Sequence, residues 1–317
     1  MEDKLEVNNF EESYIDVRML LLVLWKKKIF ITFITLLFSI SAVFYALSLP
    51  NYYKSTALLK IASEESSSPS LLSQYSGIAS VAGISLPGGS SDNKANLAIA
   101  TLKSRDFLKE LILIDETIVP ALMAAKNYDY INKEIIYDSN LYNLSKNEWL
   151  RKPIHPFKTV PSNLEVYEKY KNNVFSASIN KETGYISLSV THISPVFSQK
   201  FLKLIISELN SISRINDMNS SKDALEYLYS QASKTSVTSI SDSISKLIES
   251  QLQTQMMAQI NDEYMLQVID TAFVPELKAG PNRKAICIIA FLIGAILASL
   301  ISIIIHLNKD ENELFSK

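Results

Sequence analysis

The stretch IFITFITLLFSISAVFYALSL, from Ile29 to Leu49, runs for 21 residues without a charged side chain. As an α-helix it would cover about 31 Å, which matches the hydrocarbon thickness of a bilayer. A second stretch, AICIIAFLIGAILASLISIIIHL from Ala285 to Leu307, has 23 residues and would cover about 34 Å. The sequence therefore predicts transmembrane helices at 29–49 and 285–307 that frame a large loop, residues 50–284.

Each stretch has an alternative reading. The first resembles a cleavable signal peptide, because three lysines precede it and Ala46-Leu47-Ser48 is a small-x-small pattern. The apolar part of a signal peptide is usually about 7 to 15 residues long, and this one is longer and follows a leader of 28 residues, so a retained anchor is favoured. The second stretch has a buried core helix as its alternative, and its length favours a membrane span.

Basic residues near the first span predict its orientation. Arg18 and Lys26 to Lys28 precede the span, whereas only Lys54 and Lys60 follow it closely. Because basic residues are enriched in cytoplasmic segments, this distribution places residues 1–28 in the cytoplasm.

The second span shows the opposite imbalance. Three basic residues lie on its loop side and two lie beyond it, namely Lys278, Arg283, Lys284, Lys309 and Lys317. The first span usually dominates, and loops longer than about 60 residues are translocated largely regardless of charge. We therefore expect residues 50–284 outside the cytoplasm and residues 308–317 as a cytoplasmic tail.

Particular side chains suggest how the spans are held. An anchor at the membrane interface is predicted at four consecutive residues, Trp25, Lys26, Lys27 and Lys28. Inside the second span, Gly294 and Ala298 form a small-x-x-x-small pair, which allows another helix to approach closely. We expect these two residues to pack transmembrane helices together.

The composition argues against several classes of protein. Lys plus Arg number 31 against 33 Asp plus Glu, and the resulting charge of −2 provides no basic field for a nucleic acid. A single cysteine, Cys287, excludes a disulfide framework and a multi-cysteine metal site, and the three histidines lie far apart in sequence. We expect His155 and His192 to be structural or solvated. No catalytic, cofactor-binding or metal-binding residue is assigned.

One glycine-rich motif has the spacing of a phosphate-binding loop. It runs from Gly83 to Ser90, but Gly89 occupies the position where a lysine would contact the phosphates. Nucleotide binding is therefore not expected there. The surrounding stretch, 63–91, is rich in serine and predicts a loop.

The loop between the spans predicts an α+β domain. A strand begins at Tyr53, and a β-hairpin is indicated by alternation over 175–179 and 186–190. Ser194-Pro195 begins a long helix to Lys234, a returning helix runs through Ala258, and a strand lies within 264–273. The long helical extension occupies about 195–262. Residues 115–158 suggest short helices and turns, and Pro275 and Pro281 stiffen the segment before the second span.

Five motifs, taken in order around the two spans, resemble the Wzz-type chain-length determinants. These proteins are polysaccharide co-polymerases of the bacterial inner membrane. The motifs are Ile15-Asp16-Val17 to Leu24-Trp25-Lys26, the strand from Tyr52, Leu102-Lys103-Ser104-Arg105-Asp106-Phe107, Met256-Met257-Ala258 to Val268-Ile269-Asp270, and Pro275 with Pro281. The segment before the second span departs from the proline-rich pattern of the family, because it carries only two prolines.

The resemblance implies a function without covalent chemistry. It implies a ring-like homo-oligomer with a periplasmic α/β base and long helices, which acts with a Wzy-type polymerase and sets the number of repeat units added to the nascent lipid-linked polysaccharide. The sequence lacks a cytoplasmic tyrosine-kinase extension, which places it with the short members linked to lipopolysaccharide O-antigen. The implied partners are other copies of the chain, the polymerase and inner-membrane lipid.

Three other functions compete with length control. One is a periplasmic glycosyltransferase or hydrolase, which would need paired carboxylates. Another is a sensor, against which the ten-residue tail argues. The third is an adaptor that couples capsule polysaccharide export to an ABC transporter.

Overall fold

The computed structural model describes residues 22, 24–62, 91–234 and 238–314. The glycine-rich motif at 83–90, nearly all of the serine-rich stretch and Arg18 lie outside the described residues. The chain divides into two units, residues 1–50 with 280–317 and residues 51–279.

The helices and strands are numbered here in chain order. They are α1 (Lys28–Ser48), β1 (Tyr53–Ile61), α2 (Ser91–Leu102), α3 (Arg105–Ile114), α4 (Ile118–Ala124), β2 (Ala125–Asp129), β3 (Glu134–Tyr137), β4 (Tyr142–Asn143), β5 (Glu148–Trp149), α5 (Asn163–Lys169) with a π-helical turn (Tyr170–Val174), β6 (Phe175–Ile179), β7 (Ile186–His192), α6 (Pro195–Ala232), α7 (Thr238–Ile260), β8 (Leu266–Asp270) and α8 (Arg283–Leu314). The chain is thus a mixed helix and sheet protein with an apolar helix near each end.

A four-stranded antiparallel sheet organises the unit of residues 51–279. Its strand order is β6-β7-β1-β8, so β1 lies inside the sheet. Alternation along β1 buries Tyr53, Ala57 and Leu59 while Lys54 and Lys60 stay exposed, as the sequence predicted. One face of the sheet therefore carries the core.

The predicted hairpin is confirmed as β6 and β7. Phe175 pairs with Val190 and Ile179 pairs with Ile186. The turn is held by the side chain of Asn180, which accepts hydrogen bonds from the backbone N–H groups of Glu182 and Thr183. Gly184 has a φ of +71°, a conformation that favours glycine.

The predicted long helix is confirmed as α6, which has 38 residues and covers about 57 Å. Ser194 caps its N-terminus by accepting from the N–H of Phe197 at 3.1 Å, and Pro195 occupies the first turn. The N-terminal half packs on the sheet, and its fully buried side chains include Leu202 and Ile205. The C-terminal half packs instead on α7, where Leu228 joins Ile244 and Leu247.

The returning helix and the final strand are also confirmed. Helix α7 ends at Ile260, two residues beyond the predicted end, and β8 lies within the predicted 264–273. Strand β8 pairs with β1, for example Ile61 with Leu266. The chain therefore returns to the strand from which the unit began, and the N–H of Ala279 donates to the carbonyl of Tyr52 at 2.8 Å.

A buried asparagine fixes the position of β8 against α6. The Oδ1 atom of Asn210 accepts from the N–H groups of Met265 and Leu266 at 2.9 and 2.7 Å, and its Nδ2 donates to the carbonyl of Leu266 at 2.9 Å. Asn210 is 4% exposed, so these three backbone groups lie where water cannot replace the amide.

The prediction for residues 115–158 was partly wrong. The helix α4 is short, as expected, but two small hairpins follow, β2 with β3 and β4 with β5. Their strands have two to five residues, which is too short for an alternating pattern to be recognised. Aromatic contacts hold them, including Tyr142 with Trp149 at 5.0 Å between ring centroids.

The unit formed by the two chain ends contains the apolar helices. Helix α1 spans Lys28–Ser48, close to the predicted 29–49. Helix α8 begins at Arg283 and continues to Leu314, past the predicted limit of 307. No Gly or Pro occurs between 308 and 314, so nothing in the sequence stops the helix where its apolar part ends.

Replacing Asn210 tests the polar lock on β8. We expect Asn210→Ala to lower the free energy of unfolding by about 3 kcal/mol, because three buried backbone groups lose their partner. Urea titration of the full-length protein in detergent, followed by circular dichroism, measures this change. The control is Asn172→Ala, which removes an exposed bond to Glu168 and should change stability by less than about 0.5 kcal/mol. Equal effects of the two variants would contradict the assignment.

Candidate functional site

The two apolar helices pack against each other along their length. Both helices, Lys28–Ser48 and Arg283–His306, are long and apolar enough to cross a membrane. Only 17% of the most apolar stretch of each helix is buried, so most of their apolar side chains face outward. This is the pattern of two helices that share a narrow contact and expose the rest to an apolar environment.

Small residues form the contact on α8. An ideal Cβ atom at Gly294 would lie 2.9 Å from the Cβ of Phe38 and 3.4 Å from the Cα of Thr35, so only glycine fits without a shift. Ala298 is fully buried. The structure therefore brings the two predicted packing residues into one helix face, while their part in function stays a prediction.

The stripe of small residues is longer than the sequence reading indicated. On α8 it continues from Gly294 and Ala298 to Ser302, which is fully buried. On α1 the buried residues are Thr35, Ala42 and Ala46. A spacing of four on α8, and of seven and four on α1, was the signal that could have identified both faces.

Arg283 joins the two helices at one end. Its Nε donates to the carbonyl oxygen of Ala46 at 2.8 Å and its Nη2 to that of Leu49 at 2.9 Å. The last carbonyls of a helix lack intrahelical partners and carry partial negative charge, so a guanidinium satisfies both needs. From the sequence, Arg283 was recognisable only as a basic residue near a span. Arg283 is one of the three basic residues on the loop side of the second span, and these two bonds give it a structural role.

The predicted anchor residues lie at the other end of the pair. Trp25 is 73% exposed, and the ammonium of Lys28 lies 5.3 Å from the centroid of its ring. Lys27 Nζ donates to the carbonyl oxygen of Ser302 at 3.4 Å, and Lys26 is exposed. Arg283, at the start of α8, contacts the end of α1, whereas Lys27, just before α1, contacts Ser302 further along α8. The helices α1 and α8 therefore run antiparallel.

The two predicted prolines belong to different units. Pro275 is buried in the unit of residues 51–279, and Pro281 is half-buried at the start of the segment leading into α8. Their effect on the stiffness of this segment stays a prediction.

His192 is a structural residue of the sheet unit. Its Nε2 donates to the carbonyl oxygen of Ala121 at 2.9 Å, and its Nδ1 accepts from the N–H of Ser194 at 3.0 Å. Burial lowers the pKa of His192 to about 4, although the two backbone bonds act in the other direction. The neutral ring links α4 to the start of α6. His155, in contrast, is exposed.

Groups with catalytic chemistry are sparse in the described part of the chain. No cluster of three or more His, Cys, Asp or Glu side chains suited to a metal ion occurs among these residues. One carboxyl has a perturbed pKa of the kind used in acid–base catalysis, because burial and then the charge of Glu110 raise the pKa of Glu208. Glu110 is exposed on α3, and Glu208 is half-buried on α6.

Comparison with known proteins finds a family match in the first third of the chain. The family of the chain length determinant protein, Wzz, matches residues 13–113, which include α1, β1, α2 and nearly all of α3. Residues 13–113 therefore form a Wzz-type chain length determinant domain. Members of this family regulate polysaccharide chain length and are not known as enzymes.

A solved structure is also similar to this chain-length determinant. It is described as a full-length bacterial polysaccharide co-polymerase, with 12% sequence identity, a TM-score of 0.40, and coverage of 94% of this chain and 99% of the other. This likeness is too distant to support an inference. No curated protein matches the sequence.

The bonds of Arg283 predict the stability of the helix pair. We expect Arg283→Gln to lower the free energy of unfolding by about 2 kcal/mol, because two charge-assisted bonds to helix-end carbonyls are lost. Titration with sodium dodecyl sulfate in mixed micelles measures this loss. Lys284→Gln removes a neighbouring, exposed cation and should leave the transition unchanged; a matching loss in that variant would show that charge alone matters.

The low pKa of His192 predicts a pH dependence. Between about pH 6.5 and pH 4 the unfolded state binds a proton that the folded state rejects, so stability falls as pH falls. The slope should reach about 1.4 kcal/mol per pH unit and be smaller in His192→Gln, as measured by urea titration across this range. His155→Gln should retain the full slope. A slope that His192→Gln leaves unaltered would contradict the role of this ring.

Proposed function

We propose that this chain-length determinant acts as a homo-oligomer in the bacterial inner membrane. It works beside a Wzy-type polymerase and sets how many repeat units are added to O-antigen, the polysaccharide of lipopolysaccharide. The observation that carries the proposal is the Wzz match at 13–113, which covers one of two apolar helices that flank an α+β unit.

The membrane topology is part of the proposal. Spans at 29–49 and 285–307 would place residues 1–28 and 308–317 in the cytoplasm and residues 50–284 in the periplasm. The cluster of lysines at 26–28 supports this orientation. The basic residues on the loop side of the second span oppose this orientation. Since Arg283 bonds to the end of α1, its charge is weaker evidence against the orientation.

The proposed ring would form through surfaces that a single chain leaves exposed. The α6 and α7 pair exposes several large apolar side chains, Ile215, Tyr227, Tyr229, Ile240, Leu252, Met256 and Ile260. Copies of the chain would cover these residues, and the outward faces of α1 and α8 would meet lipid. No covalent step is required, because the assembly acts through the lifetime or geometry of its contact with the polymerase.

Deleting the gene tests the proposed function. We expect surface polysaccharide to lose its modal length and adopt a broad distribution on a gel, and the intact gene to restore the mode. An unaltered ladder would contradict length control. Loss of surface polysaccharide with retention inside the cell would contradict it as well and favour an export adaptor.

The close contact at Gly294 predicts a specific effect on length. We expect Gly294→Leu to shift the modal length, because a larger side chain must separate α8 from Phe38 and Thr35. The gel ladder of a deletion strain carrying the variant measures the shift, with protein amount checked by immunoblot. Ile296→Phe enlarges a side chain that is 59% exposed on the same helix and should preserve the mode. An unchanged mode in both variants would remove Gly294 from the functional residues.

A further inference from the structure

An open groove lies at the lysine-rich end of the helix pair. Its volume is about 560 Å³, within the range of small-ligand sites. It is lined by residues from both helices and the turn before α1, namely Lys26, Lys27, Ile29, Phe30, Phe33 and Ile305. The groove therefore combines a cationic rim with apolar walls.

The cationic rim is formed by adjacent lysine ammonium groups. Lys27 contacts a backbone oxygen of Ser302 at 3.4 Å, and the ammonium of Lys28 lies over the ring of Trp25. Neither these two lysines nor Lys26 forms an ion pair with a carboxylate in the part of the chain that the structure describes. Adjacent ammonium groups attract an anion, and a phosphate accepts hydrogen bonds from several of them.

The walls of the groove favour an amphiphile over a free anion. Phe33 is 65% exposed and Ile305 is 45% exposed, so apolar surface continues from the rim along both helices. A soluble phosphate would leave this surface uncovered, whereas a lipid would place its phosphate at the lysines and its first methylene groups on the apolar walls.

We propose that this groove binds an anionic glycerophospholipid of the surrounding bilayer. The phosphate contacts Lys26 and Lys27, and the upper part of an acyl chain contacts Phe33 and Ile305. The site rests on the proposed function only in requiring that the helix pair lies in a membrane. It assigns to the lysines a bound lipid shared by both helices, beyond a general attraction to the membrane surface.

Quenching of Trp25 fluorescence by brominated lipids tests the proposal. The full-length protein with Trp149→Phe is placed in lipid nanodiscs, so that Trp25 is the remaining tryptophan. Brominated phosphatidylglycerol and brominated phosphatidylcholine are compared at equal mole fraction. We expect the anionic lipid to associate about fivefold or more tightly, which corresponds to about 1 kcal/mol for a lysine near the surface.

Variants separate the groove from surface charge. Lys26→Gln combined with Lys27→Gln should bring the preference close to onefold and retain the contact of Lys28 with Trp25. Ile305→Phe keeps every charge but fills the groove, and it should also reduce the preference severalfold. Lys284→Gln, at the opposite end of the pair, should keep the full preference.

Four results would overturn the proposal. Equal quenching by the two lipids would exclude headgroup selection, and a full preference in Ile305→Phe would show that surface charge alone selects the lipid. Displacement by a soluble phosphate ester would assign the lysines to a free anion. Absence of quenching by either lipid would contradict the membrane location itself, a failure distinct from any change in polysaccharide length.

Discussion

The close approach of two apolar helices is the constraint on which the account depends. Lipid tails are as apolar as the side chains of α1 and α8, so in a membrane the hydrophobic effect does not drive the two helices together. Their contact must rest on tight packing and on polar bonds. The small side chains at Gly294, Ala298 and Ser302 allow the packing. Arg283 adds bonds that no apolar residue can provide.

The sheet unit brings its own first and last segments together. Strand β1 follows the first apolar helix, and β8, which precedes the second, pairs with it. The bond between Ala279 and Tyr52 brings the two ends of the unit side by side. Asn210 secures β8 from the α6 side, so a polar group in the N-terminal half of the long helix helps to hold the last strand of this unit in place.

The sequence was informative where one periodic signal dominated. The apolar helices, the β6–β7 hairpin and α6 were predicted within a few residues, because uninterrupted apolar runs, alternation and the Ser194-Pro195 start each have one structural meaning. The hairpins β2–β3 and β4–β5 were missed because their strands are too short for periodicity. The extension of α8 to Leu314 was missed because hydropathy marks the end of an apolar segment and not the end of a helix.

The candidate site was only partly predictable for a different reason. Gly294 and Ala298 stand out by their spacing within one helix, but their partners on α1 depend on how two distant segments meet. Only the charge of Arg283 was evident from the sequence, because its bonds to Ala46 and Leu49 join residues more than 230 positions apart. The resemblance to chain-length determinants came from the order of several motifs around the two apolar segments, and the family match at 13–113 confirms it.

Thiol labelling of intact cells tests most directly that the two apolar helices cross the membrane as a pair. With Cys287→Ser removing the native thiol, single cysteines are placed at Glu2 and at Lys181, which is exposed in the hairpin turn. A membrane-impermeant maleimide added to spheroplasts should label Lys181→Cys at once and Glu2→Cys only after lysis. Protection of Lys181→Cys until lysis would contradict the account.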